Sequence, residues 1–470
     1  MKKTETAAQT AARKAREQRE LTKRKKQLKR IAPPSYLLYM LIVLSVVYIV
    51  DEITSNIYNS LQSEMITDFF VNGKGLEFNT GLATYSAMTA PLYVVMLITP
   101  FYKSLADRFG RKLFLVLNTV GMGIGMFVCM IAPNPVVYIC GIGIIYFLMN
   151  NDMQVLYVME SAPEKHRAKL TSITKAIALL GVMVIPLLRD IFMKNDGSKW
   201  QQVYMIPAVV AVIVGVSAIV LMPETPAYLK RRIAYLELSD EEREALADKE
   251  KKNTEASDGG VVVALKYIFK HKQMRAIALC AFLYVTSTGG TSYYESIMKT
   301  GGMTTADITT ALYFIPIVNA AMTFISGFIT DFLGRKKACL ALSSVTLAGL
   351  LSFVLCASFS ISPVLVGVSY GFFIGGLWSV ADVLFIMLPG ESTPTNLRVS
   401  VVGTMGIMSG VGNVISIAIM TVGMLFVKSI GLLCLCVCVP FLVASMVILI
   451  TMVHETKGVD LSAVTGSEWD

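Results

Sequence analysis

A few carboxylates stand inside long apolar runs, and these are the residues to begin from. Asp51 and Glu52 interrupt YLLYMLIVLSVVYIV, Asp152 follows Asn150 and Asn151, and Asp382 lies four residues beyond Trp378. An ionisable side chain inside a membrane span costs several kcal/mol unless it faces a cavity or a partner. Such acids can carry a proton, bind a solute, or form a buried structural pair. Asp51 lies ~15 residues into its run, roughly 22 Å from the start at 1.5 Å per residue. Asp51, Ser55, Tyr58 and Gln62 follow the helical spacing i, i+4, i+7, i+11, and Glu52, Asn56, Asn59 and Ser63 repeat it one step round. That helix has the broad polar face of a cavity wall. Asp51 then has two readings, a coupling or solute-binding acid and a hydrogen-bonded structural one. Asp152 and Asp382 have the same two readings, with Lys175 either their partner or a residue reaching inward to the interface. Tyr284, Thr288, Tyr293, Asn319, Trp378 and Asn413 add polar groups and aromatic faces that could contact a solute or join helices.

Other chemistry is poorly represented. No Cys pair has metal-ligand spacing, Cys434 and Cys438 read as buried small residues, and His166, His271 and His454 form no H-E-x-x-H motif. No metal site and no cofactor is expected. The Gly-rich stretches lack the strand–loop–helix context of a phosphate loop, so ATP-driven pumping is not expected from this chain. An intramembrane enzyme would need a converging nucleophile or metal set, and none is seen.

The elements that position these residues are membrane spans. Of 470 residues, 54% are hydrophobic and only 16% charged, where a soluble domain carries about 25% charged residues. Twelve spans of ~20 residues fit the length. Apolar runs predict helices over 36–62, 81–102, 113–132, 136–159, 170–190 and 203–222, then 274–298, 306–329, 338–360, 363–388, 399–427 and 431–453. This is an all-α membrane protein with six spans on each side of a long connection. The divisions are a basic tail 1–35, a first bundle 36–222, a central loop 223–273, a second bundle 274–453 and a tail 454–470. The first run carries two acids and no A-x-A-like cleavage site, so it reads as a retained helix.

Residues 1–30 hold twelve Lys/Arg and three Glu, which accounts for the net charge of +9. This tail reads as cytoplasmic under the positive-inside rule, or as binding the anionic leaflet; nothing else supports nucleic-acid binding. The even-to-odd loops are basic and the opposite loops nearly uncharged, which places both termini in the cytoplasm of a cell-membrane protein. In the central loop, Ser239 and Glu242 form a capping-box pattern that starts a short helix. VVVALKYIFKHK (261–272) is amphipathic and suited to lie on the inner leaflet.

The two halves repeat. LADRFGRK (105–112) returns as ITDFLGRK (329–336) at an offset of 224. ESAPEKHR (160–167) returns as ESTPTNLR (391–398), and PET (223–225) as HET (454–456), both offset by 231. Three ordered matches imply a duplicated six-helix unit.

These motifs resemble those of the major facilitator superfamily, over roughly residues 36–458. D-R-x-G-R-K after the second span is its loop signature; E-x-x-P-x-x-x-R and P-E-T look like the sugar porter and organic ion transporter branches. The resemblance implies a cytoplasmic network of Asp107, Gly110, Arg111, Glu160 and Arg167, repeated by Asp331, Gly334, Arg335, Glu391 and Arg398. Gly110 and Gly334 would permit tight turns. Asp107 and Asp331 would accept from a helix N-terminus or an Arg, and the Arg residues would pair with Glu160 and Glu391. In the family such networks hold the inner side closed and release it; topology-setting charge alone is the plainer reading. The resemblance also aligns Asp51 with the proton-carrying Asp of proton-coupled sugar members. Some positions depart from the pattern. Lys103 stands in place of a Gly, Phe332 in place of a basic residue, and Cys140 where those sugar members carry Arg. The seventh span, LYVTSTGGTSYYES, has no Gln or Asn, and only Tyr293–Tyr294 match.

The expectation is a monomeric secondary transporter that moves a sugar-like or organic acid solute by alternating access, with protons as the coupling ion. Export of amphipathic or cationic compounds is the alternative, because acids in a cavity attract cations. A solute sensor without transport is a remote third, since the central loop is short for an output domain.

Overall fold

The computed structural model describes residues 7–458 apart from 32, 98–101, 103–104, 107–108, 150–152, 163–166, 195–196, 240, 244, 246–261 and 395–396. Asp107, Asn150, Asn151 and Asp152 therefore lie outside the described residues, as does the side chain of Arg167.

The chain is all-helical among the described residues, and its spans follow the apolar runs. The first bundle comprises Pro34–Ile57, Phe78–Thr89 continued by a 3-10 turn Ala90–Leu97, Arg111–Met130, Pro135–Met149 with Met153–Ser161, Arg167–Gly181 with Val184–Phe192, and Met205–Leu221. The second comprises Lys272–Thr286 with Tyr294–Thr300, Thr305–Leu333, Arg335–Ser358, Pro363–Asp382, Arg398–Gly423 and Ile430–Met452. Nine helices among the described residues are long and apolar enough to cross a membrane. The sixth span shows its membrane face directly: Val209, Ile213, Val216 and Val220, spaced i, i+4, i+7, i+11, are all exposed.

Breaks in the spans have local causes. Pro186 lacks an N–H and its ring crowds the carbonyl one turn back, so the fifth span breaks at Val182–Met183. In the seventh span, Ser287–Ser292 (STGGTS) is a 3-10 turn. Its hydroxyls return to their own backbone, Ser287 to the Tyr284 carbonyl at 2.6 Å and Thr288 to that of Val285 at 2.7 Å, which competes with the α-helix. The first span does not stop near residue 62. It continues through Asn59–Leu61 and Gln62–Ile66 into a π-helical turn, Thr67–Asn72. The eighth span starts on a capping box in which Thr304 and Asp307 exchange bonds of 3.0 and 3.2 Å.

The halves meet where the fifth span packs on the eighth and the second on the eleventh. Antiparallel alternation gives the bundle a basic end, with Arg111 and Arg335, and a far end, with Arg189. The tail forms a helix, Ala7–Arg30, docked on the basic-end helix Pro226–Glu237. Glu20 pairs with Arg232 at 3.1 Å, Lys25 with Glu237 at 2.6 Å, and Glu17 with Arg243 at 2.8 Å. The Ser239–Glu242 capping box forms, with bonds of 2.8 and 3.2 Å. The helix over 262–270 exposes Val262, Val263 and Phe269 and buries Ala264, Tyr267 and Ile268.

Candidate functional site: a cavity between the halves

The two basic-end networks are copies of each other at the level of single bonds. Arg111 meets Glu160 at 2.8 Å and donates to the Ala106 carbonyl at 3.0 Å. Arg335 meets Glu391 at 2.9 Å and donates to the Thr330 carbonyl at 3.3 Å. Thr225 donates to Glu160, and Thr456 to Glu391.

The acceptors at the two helix N-termini come from the PET and HET motifs. Glu224 accepts from the N–H groups of Arg111 and Lys112 at 2.9 and 3.1 Å, and Glu455 from those of Arg335 and Lys336 at 2.8 and 3.1 Å. Gly110 and Gly334 make room for these carboxylates. They have φ of +103° and +90°, and a Cβ on either would strike Glu224 or Glu455. Asp331 instead pairs with Arg335 at 3.3 Å from an exposed position. Arg398 donates to the Thr393 carbonyl at 3.3 Å.

The copies differ electrostatically. Burial raises the Glu224 carboxyl above its ordinary value, despite N–H donors from Lys112, Thr225 and Arg111. Burial also pushes Glu455 up, but N–H groups of Lys457, Arg335, Lys336 and Thr456 outweigh it and hold that carboxyl below its ordinary value.

Midway along the bundle the halves enclose a cavity of about 490 Å³. The first span contributes Asp51, Glu52, Ser55, Asn56 and Tyr58, and the fifth contributes Lys175. The second half contributes Thr288, Asn319, Trp378, Asp382 and Asn413. Trp378 is 53% exposed, so its large face is presented rather than packed. Asp51 accepts a hydrogen bond from Gln154 at 2.8 Å, and Thr288 donates to Asn413 at 3.0 Å. Gln154, from the fourth span, was not among the candidates; its single amide carries no spacing signal.

Two expected solute contacts lie elsewhere. Tyr284 is fully buried and donates to the Leu377 carbonyl at 3.0 Å, because its ring is needed to fill the second bundle. Tyr293 bonds to Ser86 across the halves at 2.9 Å and lines a separate small recess.

Tyr293 belongs to a far-end seal. Tyr294 bonds to Ser60 at 2.7 Å and Ser296 to Gln62 at 2.7 Å. Tyr313 donates to Asp190 at 2.8 Å, and Asn79 to the Lys428 carbonyl at 2.6 Å. At its centre Arg189 meets Glu64 at 2.7 Å, Glu295 at 3.5 Å and Thr309 at 3.1 Å. Each of these contacts except Arg189–Glu64 joins the two halves. By contrast, the bonds given above for Arg111 and Arg335 at the basic end run within one half.

Comparison with known proteins follows the same architecture. Residues 35–417 match the profile of the Major Facilitator Superfamily. The glucose transporter GlcP of Staphylococcus epidermidis is 23% identical over 328 residues, covering 66% of this chain and 72% of the relative. The probable metabolite transport protein CsbC of Bacillus subtilis is 24% identical over 390 residues, covering 77% and 81%. Among solved structures, the proton:xylose symporter XylE bound to 6-bromo-6-deoxy-D-glucose superimposes with a TM-score of 0.63 at 15% identity, covering 93% of this chain and 99% of that one. The chain belongs to the Major Facilitator Superfamily and is a multi-pass membrane transport protein, not an enzyme.

Proposed function

We propose that this protein carries a small, polar, sugar-like solute across the cell membrane by alternating access, coupled to protons through Asp51. The carrying observation is the cavity of about 490 Å³ between the halves, lined by groups from both and sealed at the far end by bonds that cross between them. A volume of that size suits a small organic molecule. Asn319, Asn413 and Thr288 offer the donors and acceptors a polyol needs, and Trp378 offers a face for a ring. The curated relatives' names, a glucose transporter and a metabolite transporter, support the same class. The basic loops put the Arg111/Arg335 end in the cytoplasm, so this conformation faces inward. The basic-end networks act as locks for the opposite, outward-facing state.

The lining narrows the solute. Among the described residues it has three acids, Asp51, Glu52 and Asp382, and one base, Lys175. That balance disfavours an organic anion and favours a neutral molecule. It also supports a second reading, in which the cargo is an organic cation. The tail docks on protein through Glu17, Glu20 and Lys25, and its remaining basic residues are suited to an anionic leaflet.

A thermal-shift screen of purified protein against sugars, organic acids and organic cations at two pH values separates these. A ligand that binds only the folded state raises the melting temperature, by about 2.7 kcal/mol of stabilisation at 100 times its Kd. Hits among sugars support the proposal, and hits confined to cations move it to the second reading. With a solute in hand, Asp51→Asn should abolish uphill accumulation in proteoliposomes while preserving exchange. Undiminished accumulation removes Asp51 from coupling.

A further inference from the structure

The cavity mechanism does not use the three charged groups of the far-end seal. Arg189, on the outer piece of the fifth span, has a side chain with no exposed area, and neither has Glu295; Glu64 keeps 7%. Glu64 and Glu295 come from opposite halves. Glu295 accepts from the Ser63 N–H and, at 2.7 Å, from the Ser63 hydroxyl, while Arg189 also donates to the Ser60 carbonyl.

The charges do not balance. Among the described residues, Arg189 is the one cation that pairs with either acid. The two carboxylates crowd the same donors: the Ser63 hydroxyl lies 3.2 Å from Glu64 and 2.7 Å from Glu295, and Arg189 Nη1 lies 3.3 and 3.5 Å from them. One guanidinium and one hydroxyl thus serve two buried acids, and an ionised carboxylate can only accept. Two like charges this close cannot both stay ionised in a dry interior. Among the described residues, Tyr294 also faces the cluster, with its hydroxyl bonded to Ser60.

We propose that Glu64 and Glu295 hold one proton between them beside Arg189, and that this proton latches the far end shut. It is a proton-binding site distinct from Asp51. Loss of the proton to water on the far side leaves one uncompensated negative charge across the joint between the halves. The carboxylates then repel and the seal opens. Rebinding a proton from the same side closes it. The inference rests on the alternating-access reading, and the test separates the two.

The test uses the full chain in lipid nanodiscs, with two readouts. The first is infrared detection of the C=O stretch of a protonated carboxylic acid across a pH titration. A band present at neutral pH and lost on alkalinisation is expected in the wild type and in Asp51→Asn. It should be absent from Glu64→Gln and from Glu295→Gln, each of which leaves a neutral one-to-one pair. No such band in the wild type overturns the proposal, even if both variants fail to fold, and so does a band that survives in both. The second readout is the distance between spin labels at Pro133→Cys and Ile361→Cys, on far-end loops of opposite halves, with exposed Cys140 and Cys436 replaced by Ser. A longer population should grow with pH in the wild type and not in Glu295→Gln. Distances that respond to solute but not to pH overturn this latch and leave alternating access standing. Distances that respond to neither refute both.

Discussion

Replacing Tyr293 and Tyr294 by Phe together removes two hydroxyl groups and little else. The Ser60–Tyr294 bond of 2.7 Å and the Ser86–Tyr293 bond of 2.9 Å both cross between the halves. In Tyr294→Phe the ring keeps its place against Tyr370, whose centroid is 4.6 Å away, and Ser60 keeps its 2.9 Å bond to the Asn56 carbonyl. A neutral hydrogen bond contributes about 1 kcal/mol net. Two that act independently contribute about 2 kcal/mol, and 1.4 kcal/mol is tenfold in an equilibrium constant. The double variant should therefore shift the balance toward the state open at the far end by roughly 25-fold. The spin-label pair on the far-end loops reads that balance. Tyr138→Phe is the control. It deletes a comparable bond, Tyr138–Tyr204 at 2.9 Å, which lies wholly within the first bundle. The control should lower the melting temperature without moving the distance distribution. An unmoved distribution in the double variant, or an equal shift in the control, would refute the assignment of these tyrosines to the seal.

The basic end yields two more expectations. Gly110→Ala should destabilise by about 3–5 kcal/mol, combining backbone strain of about 1–3 with weakened bonds from two N–H groups to a displaced carboxylate. Gly327→Ala, where a Cβ meets nothing within 4 Å, should be neutral or slightly stabilising in the same melting assay. The second concerns pH. Glu455 is held below its ordinary 4.5, so its contribution is present above that value and lost as pH falls through the folded value. Glu224 is held above 4.5, so its contribution is greatest in acid and is lost as pH rises through the folded value. At neutral pH, Glu455→Gln should melt below wild type and Glu224→Gln at or above it. Both differences should shrink on acidification, and equal effects from the two variants would show that the copies are electrostatically alike.

Much of this architecture was legible in the sequence because a membrane span is a long-range pattern written in consecutive residues. The helix positions, the duplication and the Arg111–Glu160 and Arg335–Glu391 pairs follow from runs and motifs. Asp51, Thr288, Asn319, Trp378, Asp382 and Asn413 face the cavity because each is polar or aromatic on a helix that would otherwise meet only lipid or its neighbours. Tyr284 shows the limit of that rule, since a buried tyrosine also satisfies itself by bonding a backbone carbonyl. The helix N-terminus acceptors are Glu224 and Glu455, which reach the glycine turns from more than a hundred residues away, while Asp331 takes the Arg partner that was its other expected role. The far-end triad was invisible for the same reason. Arg189 and Glu64 are 125 residues apart, Ser63 and Glu295 are 232 apart, and each charge alone resembles a loop residue at the end of a span.

The docked tail sets an order of events during synthesis. Glu20 is made early, but its partner Arg232 follows it by 212 residues. At about 5–20 residues per second the tail waits roughly 10–40 s before its dock exists. All six spans of the first bundle are made in that interval. The ion pairs with Arg232 and Arg243 can therefore close only after all six spans of the first half have been made.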